Sequence, residues 1–123
     1  MKHTLTSTVV LVLLFPGLTL GETMDDLVER EGIYYKEFTD VPFTGNITGK
    51  KQGTIRNGKK VGPWGMYWTT GKVMDKGTYK DGKKEGLWIS YHDNGQLWWK
   101  GTFKDGKEEG DLVYYSPDGS VSE

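Results

Sequence analysis

Histidine occurs twice in the 123 residues, as His3 and His92, and cysteine does not occur. Thiol nucleophiles, disulfides and cysteine-ligated metals are therefore excluded. His92 is followed by Asp93, the right pair of residue types for acid–base work, but it lies beside a turn and no nucleophile accompanies it. The paired carboxylates Asp25–Asp26 and Glu108–Glu109 read as solvated charge. No metal-ligand spacing, phosphate loop or nucleophile elbow is present. We therefore expect no catalytic residues, no metal and no cofactor, and read the chain as a non-enzyme. Sixteen Lys and Arg balance 17 Asp and Glu, which lacks the basic excess of a nucleic-acid binder.

What remains for chemistry is rings: 5 Trp, 7 Tyr and 4 Phe beside 18 Gly. Exposed rings make apolar contacts with proteins, stack on sugars and attract cations. Seven of the eleven within residues 53–123 recur at fixed positions. Trp64 and Trp88 are followed by Leu112, Tyr67 by Tyr91 and Tyr115, and Ile55 by Tyr79 and Phe103. Recurrence marks a shared core. Trp68, Trp98, Trp99 and Tyr114 do not recur and form the candidate interaction surface, since an exposed cluster of rings usually marks a contact site. Lys59, Lys60, Lys83, Lys84 and Lys107 fall at equivalent turns, a possible basic row for anionic lipid, with Glu85, Glu108 and Glu109 interleaved.

The elements that must position these rings come from a repeat. Gly53-Thr54-Ile55-Arg56-Asn57-Gly58 returns as Gly77 to Gly82 and as Gly101 to Gly106, stepping 24 residues each time. A fixed period of this size means one small unit stacked several times. Asn57-Gly58, Asp81-Gly82 and Asp105-Gly106 are hairpin turn pairs. Gly86 to His92 and Leu97 to Lys104 are strands joined through Asp93-Asn94-Gly95. Each unit thus gives two antiparallel strands and two tight turns. Residues an even number apart share a face, so Leu97, Trp99, Gly101 and Phe103 line one side, and Trp88 and Tyr91 point to opposite sides.

The motif Gly-x-aromatic, Asn/Asp-Gly-Lys, Gly-x-Trp, x-x-Tyr resembles the MORN repeat, most closely its bacterial MORN-2 variant, found in proteins labelled YwqK-type antitoxins. Asn57-Gly58-Lys59 with Gly62-Pro63-Trp64 and Tyr67 carries it, and so does Asp81-Gly82-Lys83 with Gly86-Leu87-Trp88 and Tyr91. The third copy has Leu112 in place of Trp. The resemblance implies an all-β fold, an elongated, twisted antiparallel β-meander of hairpin repeats. It also implies scaffolding: contact with a protein partner, or self-association. Cell-envelope carbohydrate binding is the alternative, because Gly- and Trp-rich hairpin arrays also bind glycans. The family label adds an antitoxin- or immunity-like protein as a further alternative, against which stands that an exported protein does not meet a cytosolic toxin.

Three segments follow. Residues 1–21 have the layout of a secretory signal peptide: Lys2, an apolar run from Val9 to Leu20, and cleavage near Gly21. The run is shorter than the ~20 residues of a spanning helix. Export without cysteine suits a bacterial periplasm or the cell exterior. Residues 22–52 form an N-terminal cap, with a short helix over Thr23 to Arg30 and a degenerate first repeat. Residues 53–123 hold three repeats, 53–76, 77–100 and 101–123.

Overall fold

A computed structural model describes residues 21–122. The expected signal peptide therefore lies outside the described residues, apart from Gly21. Ten strands follow one another: β1 Leu27–Arg30, β2 Ile33–Lys36, β3 Gly45–Ile47, β4 Lys51–Arg56, β5 Lys59–Tyr67, β6 Val73–Lys80, β7 Lys83–Tyr91, β8 Leu97–Lys104, β9 Lys107–Tyr115 and β10 Val121–Ser122. β3 to β10 form one sheet in sequence order, and every neighbouring pair is antiparallel. This is the expected all-β meander, in which each strand pairs with the next.

Two turn types alternate along it. Asn57, Asp81 and Asp105 have φ of 49°, 50° and 52°, and the glycines after them 80°, 83° and 84°. Positive φ at both central residues gives the right-handed twist that antiparallel strands need, and Asn, Asp and Gly tolerate it best. Adjacent turns are bonded laterally: the Gly82 N–H donates to the Lys60 carbonyl and that of Gly106 to the Lys84 carbonyl, both at 2.9 Å. At the other edge five-residue loops repeat one pattern. Trp68, His92 and Ser116 donate their N–H groups to the carbonyls of Lys72, Gln96 and Ser120 at 2.7–2.8 Å.

The expected capping helix is absent. Met24–Asp26 make a single 3-10 turn, and Leu27 is already extended at φ −115°, ψ 153°. The Asp26 carboxylate accepts the Thr23 N–H at 2.8 Å and its hydroxyl at 3.1 Å, which closes one turn. Those bonds hold Asp26 below its ordinary pKa. Gly32 then ends no helix. With Glu31 at φ 51° and Gly32 at 81° it makes a hairpin turn, so β1 folds back on β2 and Val28 pairs with Tyr35. Hairpin pairing outcompetes a helix too short to stand alone. The hairpin still caps the array: Leu27 is buried in one core with Ile47, and Tyr34 donates its N–H to the Gly58 carbonyl at 2.9 Å.

The turn after β2 is strained. Phe38 is 96% exposed and sits at φ 65°, a region costly to a side chain with a Cβ. Replacing it by Gly removes that cost and no packing. Phe38→Gly is expected to raise stability by about 0.5–1 kcal/mol, the left-handed penalty less the entropy of a freer unfolded chain. Urea denaturation measures this, and a loss of stability would show that Phe38 packs.

Candidate interaction surface

The repeated indoles and the rings that precede the tight turns occupy one face, and the repeated tyrosines Tyr67, Tyr91 and Tyr115 alternate to the other. Trp64, Tyr79, Trp88 and Phe103 lie there with Ile55, which is fully buried. Tyr79 sits between the two indoles, with ring centroids 6.0 Å from Trp64 and 5.1 Å from Trp88, edge to face in both cases. Each indole rests on a glycine of an adjacent strand. Gly53, Gly77 and Gly101 are skipped in the pairing of β4–β5, β6–β7 and β8–β9. A Cβ at Gly53 would enter the Trp64 ring, one at Gly77 the Trp88 ring, and one at Gly101 the Leu112 side chain. The residue after each bulge satisfies the indole: Trp64 Nε1–H donates to the Thr54 carbonyl at 3.0 Å, and Trp88 Nε1–H to that of Thr78 at 3.1 Å. The third slot holds Leu112, which has no such donor.

Two lysines lie over these rings. The Lys60 ammonium stands 4.9 Å from the Trp64 ring centre and 5.0 Å from that of Tyr79, and Lys84 stands 4.7 Å from Trp88 and 5.1 Å from Phe103. Burial lowers the Lys60 pKa, so that ammonium is partly stripped of water. These lysines therefore cover the indoles, while Tyr114 on the same face stays 45% exposed, and the five turn lysines do not make one row. Alternation along β5 and β7 sends Lys60 and Lys84 to the ring face and Lys59 and Lys83 to the other, where their stems lie against the Gly82 and Gly106 turns. Glu108 occupies the third position equivalent to Lys60 and Lys84.

Asp75 is the misfit on the ring face. It pairs across the ladder with Met66 and Ser90, and its Oδ1 is buried without a hydrogen-bond partner. Burial raises its pKa above 3.8, against the opposing pull of Lys84. A raised carboxylate gives its full contribution to stability below the unfolded value, and loses it as pH climbs through the folded value. Asp75→Asn is therefore expected to be more stable than wild type at neutral pH, with the gap closing below pH 3.8. Urea midpoints at the two pH values test this, and a constant gap would refute it. The cleft over Asp75 holds only about 40 Å³, little more than a water.

The four unrepeated rings are not gathered into one patch. Trp99 and Tyr114 are cross-strand partners on the ring face, where Trp99 lies 6.4 Å from Phe103. Trp98 points to the opposite face, with its ring 5.6 Å from that of His92. Trp68 sits half-buried in the loop after β5, its Nε1 buried and unpartnered, beside a shallow hollow of about 400 Å³. His92 has a structural bond: its Nε2 lies 2.9 Å from the Tyr115 carbonyl oxygen and so carries a proton to donate.

Trp98 has companions that composition did not disclose. Lys100 pairs with Ile89 on one side and Val113 on the other, and Tyr115 pairs with Val121, so all share the face of Trp98. Leu87 lies on the same face at 55% exposure, Trp98 at 42%, Val113 at 36% and Val121 at 65%. Their signal in the sequence was strand parity across three hairpins, which needs the register and not only the period.

The glycine bulge, the indole seated on it and the Asp-Gly turn define the unit. The family model described as the MORN repeat variant matches residues 60–81 and 84–105. Two of the repeats here are therefore similar to that family's repeat. The matches take in Trp64 and Trp88 and stop before Leu112, the slot that lacks an indole. No curated protein and no solved structure matches the chain.

Proposed function

We propose that this chain is a non-enzymatic MORN-variant interaction module whose contact surface is the face bearing Trp98. MORN repeats are generally protein-interaction or scaffolding modules. The observation that carries the reading is that Leu87, Trp98, Val113 and Val121 stand exposed on one face, interleaved with Lys100 and Thr102 and with no other described element packed over them. Lys60 and Lys84, by contrast, cover the indoles of the ring face and leave Tyr114 exposed there. Unsheltered apolar clusters on a sheet are contact sites or aggregation hazards. The module is proposed to work outside the cytoplasm, a reading that rests on the charge and apolar pattern of residues 1–21 alone. The repeat match carries no antitoxin activity with it.

Chemical cross-linking and affinity capture from the exported fraction test this, wild type against Trp98→Ala and Leu87→Ser. The expected result is a protein captured by wild type and lost, by about tenfold or more, in both variants, as for an aromatic at the centre of a contact. Identical capture by all three would refute it. Retention of wild type, but not Trp98→Ala, on purified cell-wall glycan would instead favour the carbohydrate reading, since one face of an indole suffices to stack on a sugar.

A further inference from the structure

We propose that copies of this chain associate head to tail, the Phe38 turn of one copy seating on the Leu87–Trp98–Val113 face of the next. The inference rests on the interaction reading above and narrows the occupant of that face to a second copy.

The Phe38 turn is a rigid apolar knob. Phe38 is 96% and Val41 73% exposed. Arg30 braces the turn from below. It donates through Nη2 to the Thr39 carbonyl at 2.7 Å and stacks 4.0 Å over the Tyr35 ring. The Thr39 N–H and hydroxyl both donate to the Lys36 carbonyl, at 3.1 and 2.9 Å. Tyr35 and Pro42 bridge the base of the loop. An aromatic held out on a braced turn loses little further freedom on docking, so the ordering cost of binding is small.

Charge selects the receiving surface. The knob is rimmed by Glu37 and Asp40, and Asp40 is fully exposed even though Arg30 stands 3.5 Å away. The Trp98 face carries Lys76 and Lys100 on either side of Ile89, with Glu85 and Glu109 farther along it toward Leu87. Seating the knob toward Ile89 and Val113 places its carboxylates beside those two lysines. The surfaces also lie at opposite ends of the sheet: the knob precedes β3 and the receiving face spans β7 to β10. A contact between different patches leaves one of each free, so association continues beyond two copies.

Sedimentation velocity of the full chain at concentrations on the order of 1–100 μM tests this, the range where a modest contact populates. Wild type is expected to grow in mass with concentration through dimer to longer species. Phe38→Gly and Leu87→Glu are each expected to stay monomeric alone. Mixed, they should give a heterodimer that grows no further, since one knob and one face remain between them. Trp98→Ser serves as a second face variant should Leu87→Glu misfold. A wild type that stays monomeric overturns the proposal, and so does Phe38→Gly that associates as wild type does, which would mark a two-fold contact. Neither result touches the capture experiment, whose Trp98 dependence decides the interaction reading separately.

Discussion

Trp88→Ala is expected to cost about 3–5 kcal/mol, the range for emptying a buried aromatic site. Trp88 is 3% exposed, lies across Gly77, meets Tyr79 edge to face and carries Lys84 over its ring. Its removal leaves the bulge uncovered and unseats both neighbours, and a single-layer sheet has no second layer to collapse into the space. The Thr78 carbonyl also loses its donor, which adds a smaller term. Trp88→Leu should cost clearly less, because Leu112 shows that the same slot accepts a leucine. Urea denaturation followed by far-UV circular dichroism gives the difference, indole fluorescence being compromised by the substitution. A loss under about 1 kcal/mol, the cost typical of a surface change, would mean that the indole does not wedge the hairpins together.

Gly77→Ala carries the next largest effect, a loss of about 1–3 kcal/mol, typical of overpacking. The cause is space and not backbone conformation. Gly77 is absent from the positive-φ residues, so an alanine fits its backbone, but the added Cβ falls inside the Trp88 ring. The two substitutions must then be coupled. In a Trp88→Ala background the collision is gone, and Gly77→Ala should cost almost nothing. Additive effects in the double-mutant cycle would separate the glycine from the indole and remove the account of why the two recur together. Gly62 and Gly86 have φ of 70° and 76° with nothing near the added Cβ, so alanine there reports backbone strain alone and serves as the control.

Much of this was legible in the residues. The 24-residue period and the Asn/Asp-Gly pairs establish hairpins, and a meander needs only local pairing, so topology follows from order. Parity placed Trp99, Gly101 and Phe103 on one side as expected, but the register shift between Ser90 and Tyr91 pairs Leu97 with Tyr91 and takes it out of that set. Near the N-terminus the same habits misled. Met24, Leu27 and Val28 have helical spacing over eight residues, but a turn closed by Asp26 and a Glu31–Gly32 reversal leave strand pairing as the better use of Leu27. Glutamate is an unusual first residue for that turn, so nothing local announced it. The four rings chosen for lack of recurrence were scattered for a related reason: recurrence tells which positions share a core, not which way the others point.

Sequence by itself settled the unit, its spacing and its sheet-forming character, because turn chemistry and alternation act over a few residues and need no distant partner. Tertiary structure alone decided three things. It showed that Gly53 and Gly77 seat indoles, that Lys60 and Lys84 cover those indoles on one face, and that Leu87, Val113 and Val121 join Trp98 on the other. Each depends on the register between strands, where a shift of one residue sends every side chain to the opposite face.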